Sequence, residues 1–125
     1  MTVVNVAVAV IKVADRVLIA KRSKQQHQGG LWEFPGGKIE SGEALADAIQ
    51  RECFEELDIW PTKIAPLTVI EHEYTDKSVR LEVCLVSDYL GVPVGKEGQP
   101  LEWSPVGSLN NYDFPQANKA ILKLL

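Results

Sequence analysis

The run from Gly37 to Glu56 constrains this chain more than any other. Five residues separate Gly37 from Glu43, and seven more lead to Arg51-Glu52-Cys53-Phe54-Glu55-Glu56. The segment from Glu43 to Leu57 has helix-favouring composition and contains no Pro or Gly. Its apolar residues Leu45, Ala48, Ile49, Cys53 and Leu57 recur at helical spacing, which predicts a core-facing stripe. At about 100° per residue, Glu52 and Glu56 fall within about 20° either side of Leu45, with Glu55 at the edge of the same face. Residues three and four apart are neighbours on a helix. Carboxylates crowded this way repel one another unless a cation sits among them, and half-buried carboxylates need partners. Hard divalent ions with oxygen ligands suit such a cluster. The sequence therefore points to a metal-dependent enzyme.

From Gly37 to Ile59 the chain resembles the signature of the Nudix hydrolases. That signature reads Gly, five residues, Glu, seven residues, Arg-Glu, an apolar residue, any residue, Glu-Glu, any residue, Gly, an apolar residue. One fixed position departs: Asp58 stands where the family usually has Gly. A helix commonly ends on a left-handed residue, and Asp tolerates that conformation better than most side chains. Asp58 is therefore expected to cap the helix and leave the metal site intact. The runs Phe34-Pro-Gly-Gly-Lys-Ile-Glu40, Gly95-Lys-Glu-Gly-Gln-Pro100 and Asp113-Phe-Pro-Gln-Ala-Asn118 are similar to the MutT-type branch, the antimutator pyrophosphohydrolases that remove 8-oxo-dGTP. The resemblance covers nearly the whole chain. It implies an α/β fold, the Nudix α/β/α sandwich, with a mixed β-sheet flanked by helices.

Local patterns agree with such a sheet. Val3 to Val13 and Arg16 to Arg22 read as strands joined around Ala14-Asp15. Leu31 to Phe34 reads as a short strand that Pro35-Gly36-Gly37 breaks, with loop from there to the helix entry at Ser41-Gly42 and Ser41 as its N-cap. Leu67 to Tyr74 and Val79 to Tyr89 read as strands around a turn at Thr75-Asp76-Lys77. Gly91 to Pro100 is a loop, Leu101 to Pro105 a last short strand, and Pro115 to Leu125 a helix. Strands with two helices imply a sheet with helical layers.

The 125 residues suit one domain. A net charge of −4 argues against a broad nucleic-acid surface, which needs a basic footprint. A nucleotide remains a suitable substrate, because a metal supplies positive charge locally. Cys53 and Cys84 read as small buried hydrophobes, consistent with a reducing cytoplasm. The apolar start lacks a basic n-region and cleavage site, and it is too short to span a membrane. The expectation is a cytoplasmic monomer acting on a small nucleotide.

Hydrolysis of a triphosphate needs its phosphate oxygens neutralised and a water activated, and magnesium or manganese does both. Glu52, Glu55 and Glu56 form the acidic cluster, and Gly37 can add its backbone carbonyl. The resemblance implies that Glu97, in the Gly-rich loop, joins the metal site, and a loop carboxylate can complete a site on closure. Either Glu52 or Glu97 is the general base, with Glu52 favoured as base and ligand together. Arg51 points to another face and is expected to tie the helix to its loop through Glu43 or Glu40. The resemblance places Arg22 on the substrate phosphates, and His27 is a further candidate contact. Asn118 can donate and accept at once, which suits a purine edge, and the family match assigns it to the base. Phe34 and Tyr74 are candidates for an aromatic wall. Lys77 stands where the MutT type tends to carry Arg, and Asn5 where it prefers an aliphatic residue. A Walker A loop is excluded, since Lys38 is followed by Ile39 and Trp32 occupies the first Gly position. A cytosine nucleotide as substrate and a non-catalytic Nudix-fold binding module are the competing functions.

Overall fold

Strand β1 (Val3–Val13) is apolar at most positions because both its faces are covered. Ala7, Ala9 and Ile11 turn to one side, where helix α1 (Leu45–Leu57) packs through Ala48, Ile49, Cys53 and Leu57. Val8 and Val10 turn to the other, against Leu109, Phe114, Ala117 and Ile121. Those residues belong to a 3₁₀ helix (Val106–Asn111), the segment after it, and helix α2 (Gln116–Leu122). This computed structural model describes residues 2–22 and 30–125, and it has the expected sandwich of a sheet between helical layers.

The sheet is mixed. β1 runs parallel to β6 (Ser78–Leu90), from Val3 opposite Ser78 to Ile11 opposite Val86. It runs antiparallel to β4 (Gly36–Lys38) and to β2 (Arg16–Lys21). β5 (Trp60–Glu73) forms the edge beyond β6, and β2 also carries β3 (Trp32–Glu33) and β7 (Leu101–Pro105). Ala14, with φ of 54°, makes the β1–β2 turn.

Four local expectations need correction. Pro35-Gly36-Gly37 does not simply break a strand. Gly36 and Gly37 lie opposite Val8 and Ala7 as part of β4, and a Cβ on Gly36 would sit 2.0 Å from the Ala7 carbonyl oxygen. Glycine permits a strand here that any side chain would exclude. Ser41 does not cap α1. Ala44 is the N-cap, without a side-chain bond, because Glu43 closes a preceding turn with Glu40. β5 begins at Trp60, well before Leu67. Pro61 and Pro66 lie inside it, and an edge strand tolerates a missing N–H. The last helix is shorter than Pro115 to Leu125, spanning Gln116–Leu122 with Pro115 as its cap. Cys53 and Cys84 are free and buried, as expected.

Candidate active site

The acidic face of α1 is fixed from three directions. At the helix end, Asp58 adopts φ 60° and ψ 32°, and its N–H donates to the Phe54 carbonyl at 3.1 Å. The substitution of Asp for Gly therefore keeps the left-handed cap. On the β4 side, the Gly36 N–H donates to Glu56 Oε2 at 3.1 Å. A Cβ on Gly37 would come within 2.4 Å of the Glu52 carboxylate, so that carboxylate lies directly against the glycine.

Arg51 supplies the third hold. Its Nε donates to Glu43 Oε2 at 2.7 Å, and its Nη2 to Glu43 Oε1 and the Lys38 carbonyl, each at 2.9 Å. This ties the helix to its approach loop, as the sequence suggested. The guanidinium is not confined to another face, however. Nη1 reaches Glu52 Oε1 at 2.8 Å and Glu55 Oε1 at 3.4 Å. The fork on Glu43, with help from the Glu40 N–H, holds the Glu43 carboxyl down to about 2.

The loop from Gly91 to Pro100 is fastened to the C-terminal end of α1. Val94 N–H donates to the Leu57 carbonyl at 2.9 Å and Lys96 N–H to the Glu56 carbonyl at 3.0 Å. The Gln99 amide donates to the same Glu56 carbonyl at 3.0 Å and accepts from the Glu97 N–H at 2.9 Å. Glu97 is thereby held beside Glu56 and Glu33 while its side chain stays exposed.

Two clefts meet at this point. One, of about 430 Å³, is lined by Lys21, Arg22, Glu33, Glu56, Glu97 and Gln99, among others. The other, of about 490 Å³, has apolar walls from Val4, Val6, Val8, Phe34 and Leu81, with Tyr74, Lys77 and Asn118 around them. Arg22, Glu33 and Glu56 line both. Phe34 is buried and stacks on Phe114 with ring centroids 5.4 Å apart.

A Nudix domain model matches residues 6–124. The chain belongs to the Nudix family. It is 38% identical over 122 residues to the 8-oxo-dGTP diphosphatase of Escherichia coli K12, covering 97% of this chain and 95% of that protein. It is 32% identical to the CTP pyrophosphohydrolase of the same organism, covering 98% and 91%. The crystal structure of a MutT Nudix hydrolase from Burkholderia pseudomallei superposes with a TM-score of 0.86 at 26% identity, covering all of this chain and 99% of that one.

The Nudix fold thus gathers most of the residues singled out in the sequence. Arg22, Phe34, Gly37, Lys77 and Asn118 line one cleft with Glu56, and Glu97 lines its neighbour. Glu52 sits behind Gly37, and Glu55 is exposed and paired with Arg51. Asn5 is exposed. His27 lies outside the described residues.

Nudix hydrolases generally act with divalent cations. Among the described residues, no three acidic, His or Cys side chains converge on one point as they stand. Their electrostatics nonetheless fit a cation. Burial, then the charges of Glu52, Glu33 and Glu97, push the Glu56 carboxyl up to about 9. Burial raises Glu52 and Glu33 as well. Carboxyls forced together in half-buried positions hold on to protons, and a divalent ion would take the place of those protons by stabilising the charged forms.

Glu33 escaped the sequence reading. It stands on β3 between Trp32 and Phe34, pairs with Arg22 and borders both clefts. The available signal was a charge inside an apolar run that ends at the Phe34-Pro35-Gly36-Gly37 motif. No helix among the described residues is long and apolar enough to cross a membrane.

Proposed function

We propose that this Nudix enzyme is a pyrophosphohydrolase that converts 8-oxo-dGTP and water to 8-oxo-dGMP and pyrophosphate, clearing an oxidised precursor from the nucleotide pool. The observation that carries this reading is the joined pair of clefts. An apolar pocket of about 490 Å³, edged by Asn118 and Lys77, opens at Arg22 and Glu56 onto an acidic cleft. A flat base suits the first and a triphosphate the second.

In this reading Asn118 meets the base edge, its amide pairing with the O6 carbonyl and the N7 hydrogen of the oxidised purine. Phe34 closes the apolar wall, Lys77 stands at the edge of the same pocket, and Arg22, where the two clefts join, faces the phosphates. Gly37 through its carbonyl, with Glu52, Glu55, Glu56 and Glu97, would hold the divalent ion, for which magnesium, or manganese in its place, is proposed. The bound ion would supply charge neutralisation at the phosphates and lower the pKa of water. Glu52 takes the proton of the attacking water, and Glu97 is the alternative base. Water oxygen bonds to phosphorus as an anhydride bond breaks and pyrophosphate leaves. Placing charged groups around a pre-positioned triphosphate is the main source of rate in such transfers.

The test is pyrophosphate release with magnesium, comparing kcat/KM for 8-oxo-dGTP, dGTP, dCTP and CTP. A large preference for 8-oxo-dGTP that Asn118→Ala abolishes is the expected result. A preference for a cytosine nucleotide would keep the acidic cleft and overturn the base assignment. Hydrolysis surviving Glu52→Gln would remove the proposed site altogether.

A further inference from the structure

Tyr74 lines the apolar pocket, but its ring is only part of what it does there. The Ala117 N–H donates to the Tyr74 hydroxyl oxygen at 3.0 Å. Ala117 is the second residue of α2, and the cap, Pro115, brings no side-chain acceptor. First-turn amides have no partner within their own helix. One of them is satisfied here by a side chain 43 positions away in sequence.

The same tyrosine is fixed at its other end. Its backbone N–H donates to the Lys77 carbonyl at 2.8 Å, closing the turn between β5 and β6. Its ring packs edge-on against His72, centroids 4.6 Å apart. Tyr74 thus spans the pocket mouth from the turn that carries Lys77 to the helix start that carries Asn118. Tyr74, Lys77, Ala117 and Asn118 all line this one cleft.

The walls between them are apolar, from Val4, Val6, Val8, Phe34 and Leu81, and offer no hydrogen bond that would tell one base edge from another. Discrimination rests on polar groups at fixed positions, because hydrogen bonds weaken steeply when misaligned. We propose that Tyr74 is a positioning residue for base recognition: its hydroxyl holds the start of α2, and with it Asn118, at a set distance from Lys77. It acts through Asn118 and takes no part in the chemistry at α1. This inference rests on reading the pocket as the base site.

The test is Tyr74→Phe, which keeps the ring and removes the bond to Ala117. The kcat/KM ratio of 8-oxo-dGTP over dGTP should fall about tenfold, the scale of one hydrogen bond. The loss should appear in KM for 8-oxo-dGTP, with kcat nearly unchanged. The deciding readout is a double-mutant cycle with Asn118→Ala. In that background Tyr74→Phe should leave the ratio where it is. Independent, multiplying effects would overturn the proposal, as would an unchanged ratio and KM in the single variant. A parent enzyme with no base preference would instead overturn the pocket reading, and this proposal with it.

Discussion

Glu56→Gln should stabilise the metal-free protein at alkaline pH and do little at acid pH. The Glu56 carboxyl lies among Glu52, Glu33 and Glu97, and burial and those charges push it up from 4.5 to about 9. Below the lower value the group is protonated in both folded and unfolded chains. Between the two, the folded chain keeps a proton that the unfolded chain gives up. Stability is therefore fully present below about 4.5 and lost as pH rises through about 9, at up to ~1.4 kcal/mol per pH unit. From about pH 5 to about pH 8 that slope amounts to ~4 kcal/mol at most, and roughly half once neighbouring carboxyls share the proton. Gln titrates nothing and still offers an oxygen to the Gly36 N–H. The assay is urea unfolding of both proteins in excess chelator at several pH values. Matching midpoints near pH 5 and a variant about 2 kcal/mol more stable near pH 8 are expected. Added magnesium should reverse the order, because it stabilises the parent by binding its folded form. Parallel pH profiles, or a variant weaker than the parent at alkaline pH in chelator, would refute the assigned burial and crowding.

Gly37→Ala should push the Glu52 carboxylate aside, given the 2.4 Å approach of the new Cβ. A displacement of that order lowers kcat/KM by about 100-fold, and steady-state kinetics showing less than a threefold change would contradict it. Arg51→Lys cannot reproduce the fork on Glu43 or the bond to the Lys38 carbonyl. A loss of about 1 kcal/mol in urea unfolding is expected for this partly exposed group, with a larger fall in kcat. Gln99→Ala removes both amide bonds between Glu97 and the end of α1. Amide exchange across residues 95–98 should accelerate and kcat should fall about tenfold, while the unfolding midpoint stays put.

The sequence showed most clearly what is local and periodic. The stripe of α1 and the apolar run of β1 predicted their own burial, and Asp58 predicted its own left-handed cap. The spacing from Gly37 to Glu56 placed Glu52 against Gly37 and Glu56 within bonding reach of Gly36. What it left hidden depends on neighbours distant along the chain. Pro61 and Pro66 look like breakers until β5 is known to be an edge. Gly36 looks like a turn until β1 is beside it. Glu33 looks like an ordinary strand charge until Arg22, Glu56 and Glu97 surround it. The Tyr74 hydroxyl has no signal at all, because its partner is a backbone amide on α2.

Arg51 shows how the acidic helix folds without a cation. Nε and Nη2 are committed to Glu43 and the Lys38 carbonyl. Nη1 is spread over Glu52 at 2.8 Å, Glu55 at 3.4 Å and Glu40 at 3.7 Å. One end of the guanidinium anchors the helix to its loop, and the other neutralises whichever carboxylate is near. A divalent ion at Glu52, as proposed, would compete with a single N–H donor group, while the fork that fixes the helix would stay in place. Removing Glu43 should accordingly disturb the helix anchor and the acidic cluster together, whereas removing Glu55 should leave the anchor whole.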